Sequence, residues 1–128
     1  MNYIVTVMVS VFLGWSVFIS LPFNELEQAF LDRDAEKIMS YGGEKTLITI
    51  DTKEGVYSKS QGKQVLKGFF NANPPKSFKF NFKGNDSSTT TFAIGSYLSE
   101  ENYRISIKFK LGKEKHTIEA ISIVKNEE

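Results

Sequence analysis

Ser77-Phe78-Lys79-Phe80-Asn81-Phe82-Lys83 alternates polar and apolar side chains without a break. Tyr103, Ile105, Ile107, Phe109 and Leu111 alternate in the same way with Arg104, Ser106, Lys108 and Lys110. Successive side chains of a strand point to opposite faces, so this period demands a sheet with one apolar and one polar face. Between these stretches Thr89 to Leu98 reads as a strand, with Gly95 at a bend or bulge. Thr117 to Val124 reads as the last strand. Gly84-Asn85-Asp86, Glu100-Glu101-Asn102 and Gly112 to Lys115 supply the turns. The second half is therefore a four-stranded antiparallel meander. Its apolar face carries Phe78, Phe80, Phe82 and Phe109. Its polar face carries Lys79 and Lys83 on one strand and Arg104, Lys108 and Lys110 on another.

Such a sheet needs one covering layer, and the first half supplies it. Asn24-Glu25-Leu26-Glu27 has the spacing of a capping box, followed by Leu26, Ala29 and Phe30 at helical intervals. Asp32-Arg33-Asp34 interrupts the pattern, which Ala35 to Met39 resumes. This predicts one bent helix or two short ones, ended by a left-handed cap at Gly42-Gly43. Thr46 to Ile50 and Val56-Tyr57 read as strands around a Lys53-Glu54-Gly55 turn. Ser58 with Gln61 is a second capping box and opens a helix to about Asn71. Val65, Leu66, Phe69 and Phe70 form its buried face, and Lys59, Lys63 and Lys67 share an exposed stripe. Asn73-Pro74-Pro75 ends it. Helices segregated from an antiparallel sheet make an α+β domain, in the order α(α)ββαββββ, over residues 24–125.

Residues 1–22 contain no charged side chain. Tyr3 to Leu13 is nearly all apolar, and Gly14, Ser16 and Ser20 are small. A short apolar core followed by small residues has the pattern of an export signal, cut after Ser16 or Ser20. The expected leader spans 1–20 and the expected location is exported, periplasmic or extracellular. Two alternatives remain: residues 3–21 reach the length of an uncleaved membrane anchor, or the segment is a buried helix.

The 128 residues include no cysteine and one histidine, and the net charge is +1. This excludes disulfides, thiolate metal sites and cysteine nucleophiles, and it gives no whole-chain footprint for nucleic acid. No cofactor or metal is expected.

The element order is that of the cystatin-like, or nuclear-transport-factor-two-like, cone fold, in which a bent sheet wraps around helices. The chain also resembles a family of small exported bacterial proteins of unknown function with that fold. The matching residues are Tyr57-Ser58-Lys59-Ser60-Gln61, Phe69-Phe70-Asn71-Ala72-Asn73-Pro74-Pro75-Lys76-Ser77-Phe78, Lys83-Gly84, Ile94-Gly95 and Tyr103-Arg104. The resemblance covers about residues 25–124 and departs at Gly62, where alanine is expected. The family has no known catalytic residues, so none is carried over.

Two kinds of chemistry deserve a place. Enzymes of the cone fold use Asp, Tyr or His inside the cavity, and here Asp51, Tyr57, Tyr97 and Tyr103 are the candidates for an isomerase or dehydratase acting on a small molecule. His116 reads as a solvated turn residue. The second possibility is electrostatic. Residues 23–58 carry a net charge of −4 and residues 59–115 a net charge of +7. Lys79, Lys83, Arg104, Lys108 and Lys110 would form one cationic patch across the sheet, with Thr and Ser of the intervening strand leaving it unneutralised. An anionic glycan or lipid surface is the partner such a patch would take. The expected function is a non-enzymatic binding or accessory module of the cell envelope. The rivals are the cone-fold enzyme and a membrane-anchored structural protein.

Overall fold

A computed structural model describes residues 20–84 and 89–126. The expected leader, apart from Ser20, lies outside the described residues, as does the Asn85-Asp86 part of one turn. Among the described residues no helix is long and apolar enough to cross a membrane.

Helix α1 spans Phe23–Leu31 and α2 spans Ala35–Ser40. The Asn24 capping box does not form. The helix begins two residues earlier, with Pro22 at the cap position and the Leu26 amide donating to the Pro22 carbonyl at 2.9 Å. Glu27 is thereby free to reach elsewhere. The Asp32-Arg33-Asp34 interruption produces two helices. Arg33 takes the left-handed conformation at φ 57°, and the Asp34 amide donates back to the Ala29 carbonyl at 2.8 Å. Asp34 then caps α2 by accepting from the Lys37 amide at 3.0 Å. The left-handed cap therefore sits at Arg33. No described glycine has a positive φ, and Gly42 instead opens a strand.

Strands β1 (Gly42–Ile50) and β2 (Lys53–Tyr57) form a hairpin around Asp51-Thr52, two residues earlier than the sequence turn predicted. Helix α3 (Lys59–Ala72) opens with the complete Ser58/Gln61 capping box. Its Gly62 explains itself: a Cβ there would press on the end of Met39, with the Sδ at 2.9 Å, so the glycine lets α2 and α3 lie close. Strands β3 (Ser77–Lys83), β4 (Thr90–Leu98), β5 (Asn102–Leu111) and β6 (His116–Lys125) complete the expected meander.

The six strands lie in the order β2-β1-β6-β5-β4-β3. All neighbours are antiparallel except β1 and β6, which are parallel. Helix α3 carries the chain from the β2 edge to the β3 edge. The meander then returns strand by strand, and its fourth strand meets β1 running the same way.

One face of the sheet is covered by the helices. Phe30, Phe70, Phe109, Leu66, Ile105, Ile107 and Ile121 are fully buried there. The Phe78 ring lies over Gly95, where a Cβ would come within 2.7 Å of it. That lets Phe30 of α1 approach the Phe78 ring to a centroid distance of 4.7 Å.

β3 departs from the simple alternation. Phe80 pairs with Gly95, but Phe82 pairs with the next residue, Ile94, so Asn81 is an extra residue in the ladder. Such a bulge exchanges the faces of everything beyond it. Phe82 is consequently 55% exposed, not part of the core. Lys83, opposite buried Ala93, leaves the polar face and turns to the helix side, where its ammonium lies 5.4 Å from the centre of the Phe23 ring. The Phe80 amide, on this edge strand, donates to Glu27 Oε2 at 2.9 Å.

Three substitutions separate this register from uninterrupted alternation in urea melts. Phe80→Ala is expected to cost about 3–5 kcal/mol as a buried ring is lost. Phe82→Ala is expected to stay within about 0.5 kcal/mol of wild type, whereas uninterrupted alternation demands similar losses at both. Gly95→Ala, which crowds Phe78 and the Lys79 carbonyl, is expected to cost about 1–3 kcal/mol.

Candidate binding face of the sheet

The face turned away from the helices carries the residues of interest, and the strand registers place them. Lys79, Ser96 and Arg104 lie in one cross-strand row, and Phe82, Ile94 and Ser106 in the next. Phe92 lies opposite Lys108, and Thr90 opposite Lys110. Neighbouring strands are about 4.8 Å apart, so Phe82, Ile94 and Phe92 form a compact apolar group. Lys79, Arg104, Lys108 and Lys110 surround it. Phe92 is 48% exposed. Asn81, the bulged residue, donates from Nδ2 to Ser96 Oγ at 2.5 Å and so ties β3 to β4 beside the group.

Four of the five expected cations are thus brought together, and Lys83 is not. Two further corrections concern their surroundings. Lys108 pairs with Glu119 of β6 at 3.3 Å, so the patch is partly neutralised. A second bulge, on β6 between the Lys108 and Phe109 registers, accommodates Glu119 there. The exposed side of β4 offers Phe92, Ile94 and Leu98 besides the hydroxyls of Thr90 and Ser96, while Thr91 is buried. Among the described residues Lys79, Arg104 and Lys110 make no ion pair. Sequence reasoning missed the aromatic part because β4 is apolar on both faces, which leaves period-two reading without a contrast to use.

The enzyme candidates are dispersed into structural tasks. Asp51 has φ 55° and closes the β1–β2 turn. Its amide donates to the Ile123 carbonyl at 2.8 Å, and its Oδ1 accepts from the Lys125 amide at 3.0 Å. It borders an open depression of about 490 Å³ with Thr52, Val124 and Lys125. Tyr57 pairs with Thr46, four residues along β1 from the Ile50–Lys53 pair beside Asp51, roughly 13 Å away at strand spacing. Its ring folds over Gly55. His116 is the half-buried first residue of β6, not a solvated turn residue.

Tyr97 and Tyr103 share one partner. The Tyr97 hydroxyl donates to the Asn73 backbone carbonyl at 2.5 Å, and the Tyr103 hydroxyl donates to Asn73 Oδ1 at 3.0 Å. Asn73 Nδ2 donates to the Phe69 carbonyl at 3.2 Å, and Ser99 Oγ donates to the Pro74 carbonyl at 2.6 Å. The Asn73-Pro74-Pro75 segment is therefore the point at which the end of α3 is tied to β4 and β5. Burial pushes the Tyr97 hydroxyl above the ordinary tyrosine range, with the Arg33 charge opposing it.

A neutral, hydrogen-bonded Tyr97 contributes its full stability below the unfolded-state value of about pH 10 and loses it as pH rises further. Tyr97→Phe is expected to cost about 0.5–1.5 kcal/mol near pH 7. The gap to wild type should narrow above about pH 10 in paired denaturant melts. A gap that is constant with pH would show that the hydroxyl is not held neutral by the fold.

With this geometry in hand, three comparisons place the chain. No curated protein matches it. A protein of the DUF4783 family from Bacteroides uniformis is 25% identical, with a TM-score of 0.74 over 80% of this chain and 95% of that one. Two others share the fold alone. A Nostoc punctiforme domain of unknown function with a cystatin-like fold is 9% identical, with a TM-score of 0.62 over 80% of this chain and 71% of that one. A nuclear-transport-factor-two-like protein is 12% identical, with a TM-score of 0.61 over 79% of this chain and 91% of that one. The model of the family described as Domain of unknown function (DUF4783) matches residues 23–124, and the chain belongs to that family.

Proposed function

We propose that this domain is a non-enzymatic binding module of the cell envelope, which engages an anionic partner through the outer face of its sheet. The observation that carries this reading is the gathering of Lys79, Arg104, Lys108 and Lys110 on a sheet face that no described helix covers. The ion pair with Glu119 removes part of the charge, but both partners remain solvent-accessible and such a pair is weakly held. Three cations without a carboxylate partner among the described residues are left. The structural hydrogen bonds that engage Asp51 and Tyr103, and the roughly 13 Å of strand between Tyr57 and Asp51, support a binding role over an enzymatic one, because general acid–base work needs available groups converging on one substrate. The envelope setting rests on the uncharged apolar start of the chain.

Retention on an immobilised sulfated polysaccharide tests the reading. Binding is expected at low salt and should be lost at about 0.5 M salt, where the screening length falls to about 4 Å. The triple change Lys79→Gln, Arg104→Gln, Lys110→Gln should abolish low-salt retention. The control changes Lys59→Gln, Lys63→Gln and Lys67→Gln remove the same charge from helix α3 and should preserve it. Equal loss in both triples would show that net charge, and not this face, does the binding.

A further inference from the structure

We infer that the partner of this face is the surface of an anionic lipid bilayer, an inference that rests on the binding reading above. Charge alone does not select it, because any polyanion satisfies four cations. The selective feature is the centre of the patch. Phe82 and Phe92 are each about half exposed, with half-buried Ile94 between them. A hydrated polyanion meets the cations and leaves these rings in water. The boundary between headgroups and acyl chains satisfies both at once, with phenyl rings entering the apolar phase and long cationic side chains reaching back to phosphate.

A second copy of the chain is the other apolar occupant available. It would set Lys79, Arg104 and Lys110 of one face against the same three cations of the other, without carboxylates of matching number. Like charges facing each other oppose that association.

The place where the chain enters the fold points the same way. Ser20 and Pro22 border a small depression with Tyr41, Gly42, Lys115, His116 and Thr117. Thr117 is the register partner of Lys110, which lies two residues from the Lys108–Phe92 pair. The uncharged segment 1–22 therefore joins the domain at the end of the sheet that carries Lys110, Phe92 and the Lys113-Glu114-Lys115 turn. A bilayer that held this segment would meet that end of the face.

The test uses residues 21–128. Among the described residues this piece contains every helix, every strand and the whole buried core. It also omits Trp15, the one tryptophan of the chain. Phe82→Trp and Phe92→Trp thus each install a single fluorophore on the face. Vesicles of phosphatidylglycerol mixed with phosphatidylcholine should bind the domain and shift the emission of both variants to the blue. Pure phosphatidylcholine should do neither. Removing Lys79, Arg104 and Lys110 together should weaken binding about a hundredfold, roughly fivefold for each cation. Phe82→Ala with Phe92→Ala should weaken vesicle binding by about tenfold or more and leave retention on the sulfated polysaccharide unchanged. Thermal melts confirm that each variant is folded. Retention on the polysaccharide with indifference to vesicles would overturn the bilayer and leave the binding reading standing. Failure of both would overturn both. A blue shift that appears with protein concentration alone, together with a dimer in sedimentation, would assign the face to a second copy instead.

Discussion

Gly95 has no side chain, and the Phe78 ring occupies the room that this leaves. Much follows from that one vacancy. Because the ring lies down on the sheet, Phe30 can settle against it, and α1 comes close enough for Glu27 to reach the Phe80 amide. Phe23, one turn earlier on the same helix, packs edge-on against Phe80 and Phe109 at 5.6 and 5.9 Å. The helix layer is thus seated on aromatic rings of β3, and β3 is seated on a glycine of β4. Rings of this size dominate what a small core can gain by burial.

The same seating fixes the outer face. At Asn81 the strand takes one residue more than its partner and everything beyond it turns over. Phe82 goes out and Lys83 goes in. The five cations on a polar face that alternation predicts become four cations around two phenyl rings, Phe82 turned out by the bulge and Phe92 by its place on β4. The two compositions differ in kind. The first suits any polyanion, and the second suits a partner with both charge and an apolar phase.

Several parts of this arrangement could be read from the residues. The alternation in Tyr103–Leu111, the Ser58/Gln61 box and the break at Asp32-Arg33-Asp34 each rest on neighbours in sequence, and each is present. The misread parts depend on distant partners. Glu27 looked like half of a capping box because it stands three residues after Asn24, yet its partner is 53 residues away. The faces of Phe82 and Lys83 depend on how β3 meets β4, which period-two counting assumes to be regular. Gly42-Gly43 resembled a helix stop, but the chain had already ended α2 at Tyr41 and needed those residues for β1. Asp51 and the tyrosines were visible as polar groups among strands. What could not be seen was that Asp51 and Tyr97 already had backbone partners and Tyr103 the side chain of Asn73.

The parallel pairing of β1 with β6 also governs the order in which this chain can fold. The hairpin of β1 and β2 is bonded to the rest of the sheet through β6 alone, and β6 is the last strand to be synthesised. Contacts between segments so far apart in sequence form late, because closing the long intervening loop comes before any gain from the pairing. The β3–β6 meander can assemble from local contacts, but the first hairpin must wait with one side unpaired until residues near Ile118–Ile123 are available. The ribosome, or any pore that feeds the chain through from its N-terminus, therefore releases a chain whose sheet is completed only by the ten residues of β6.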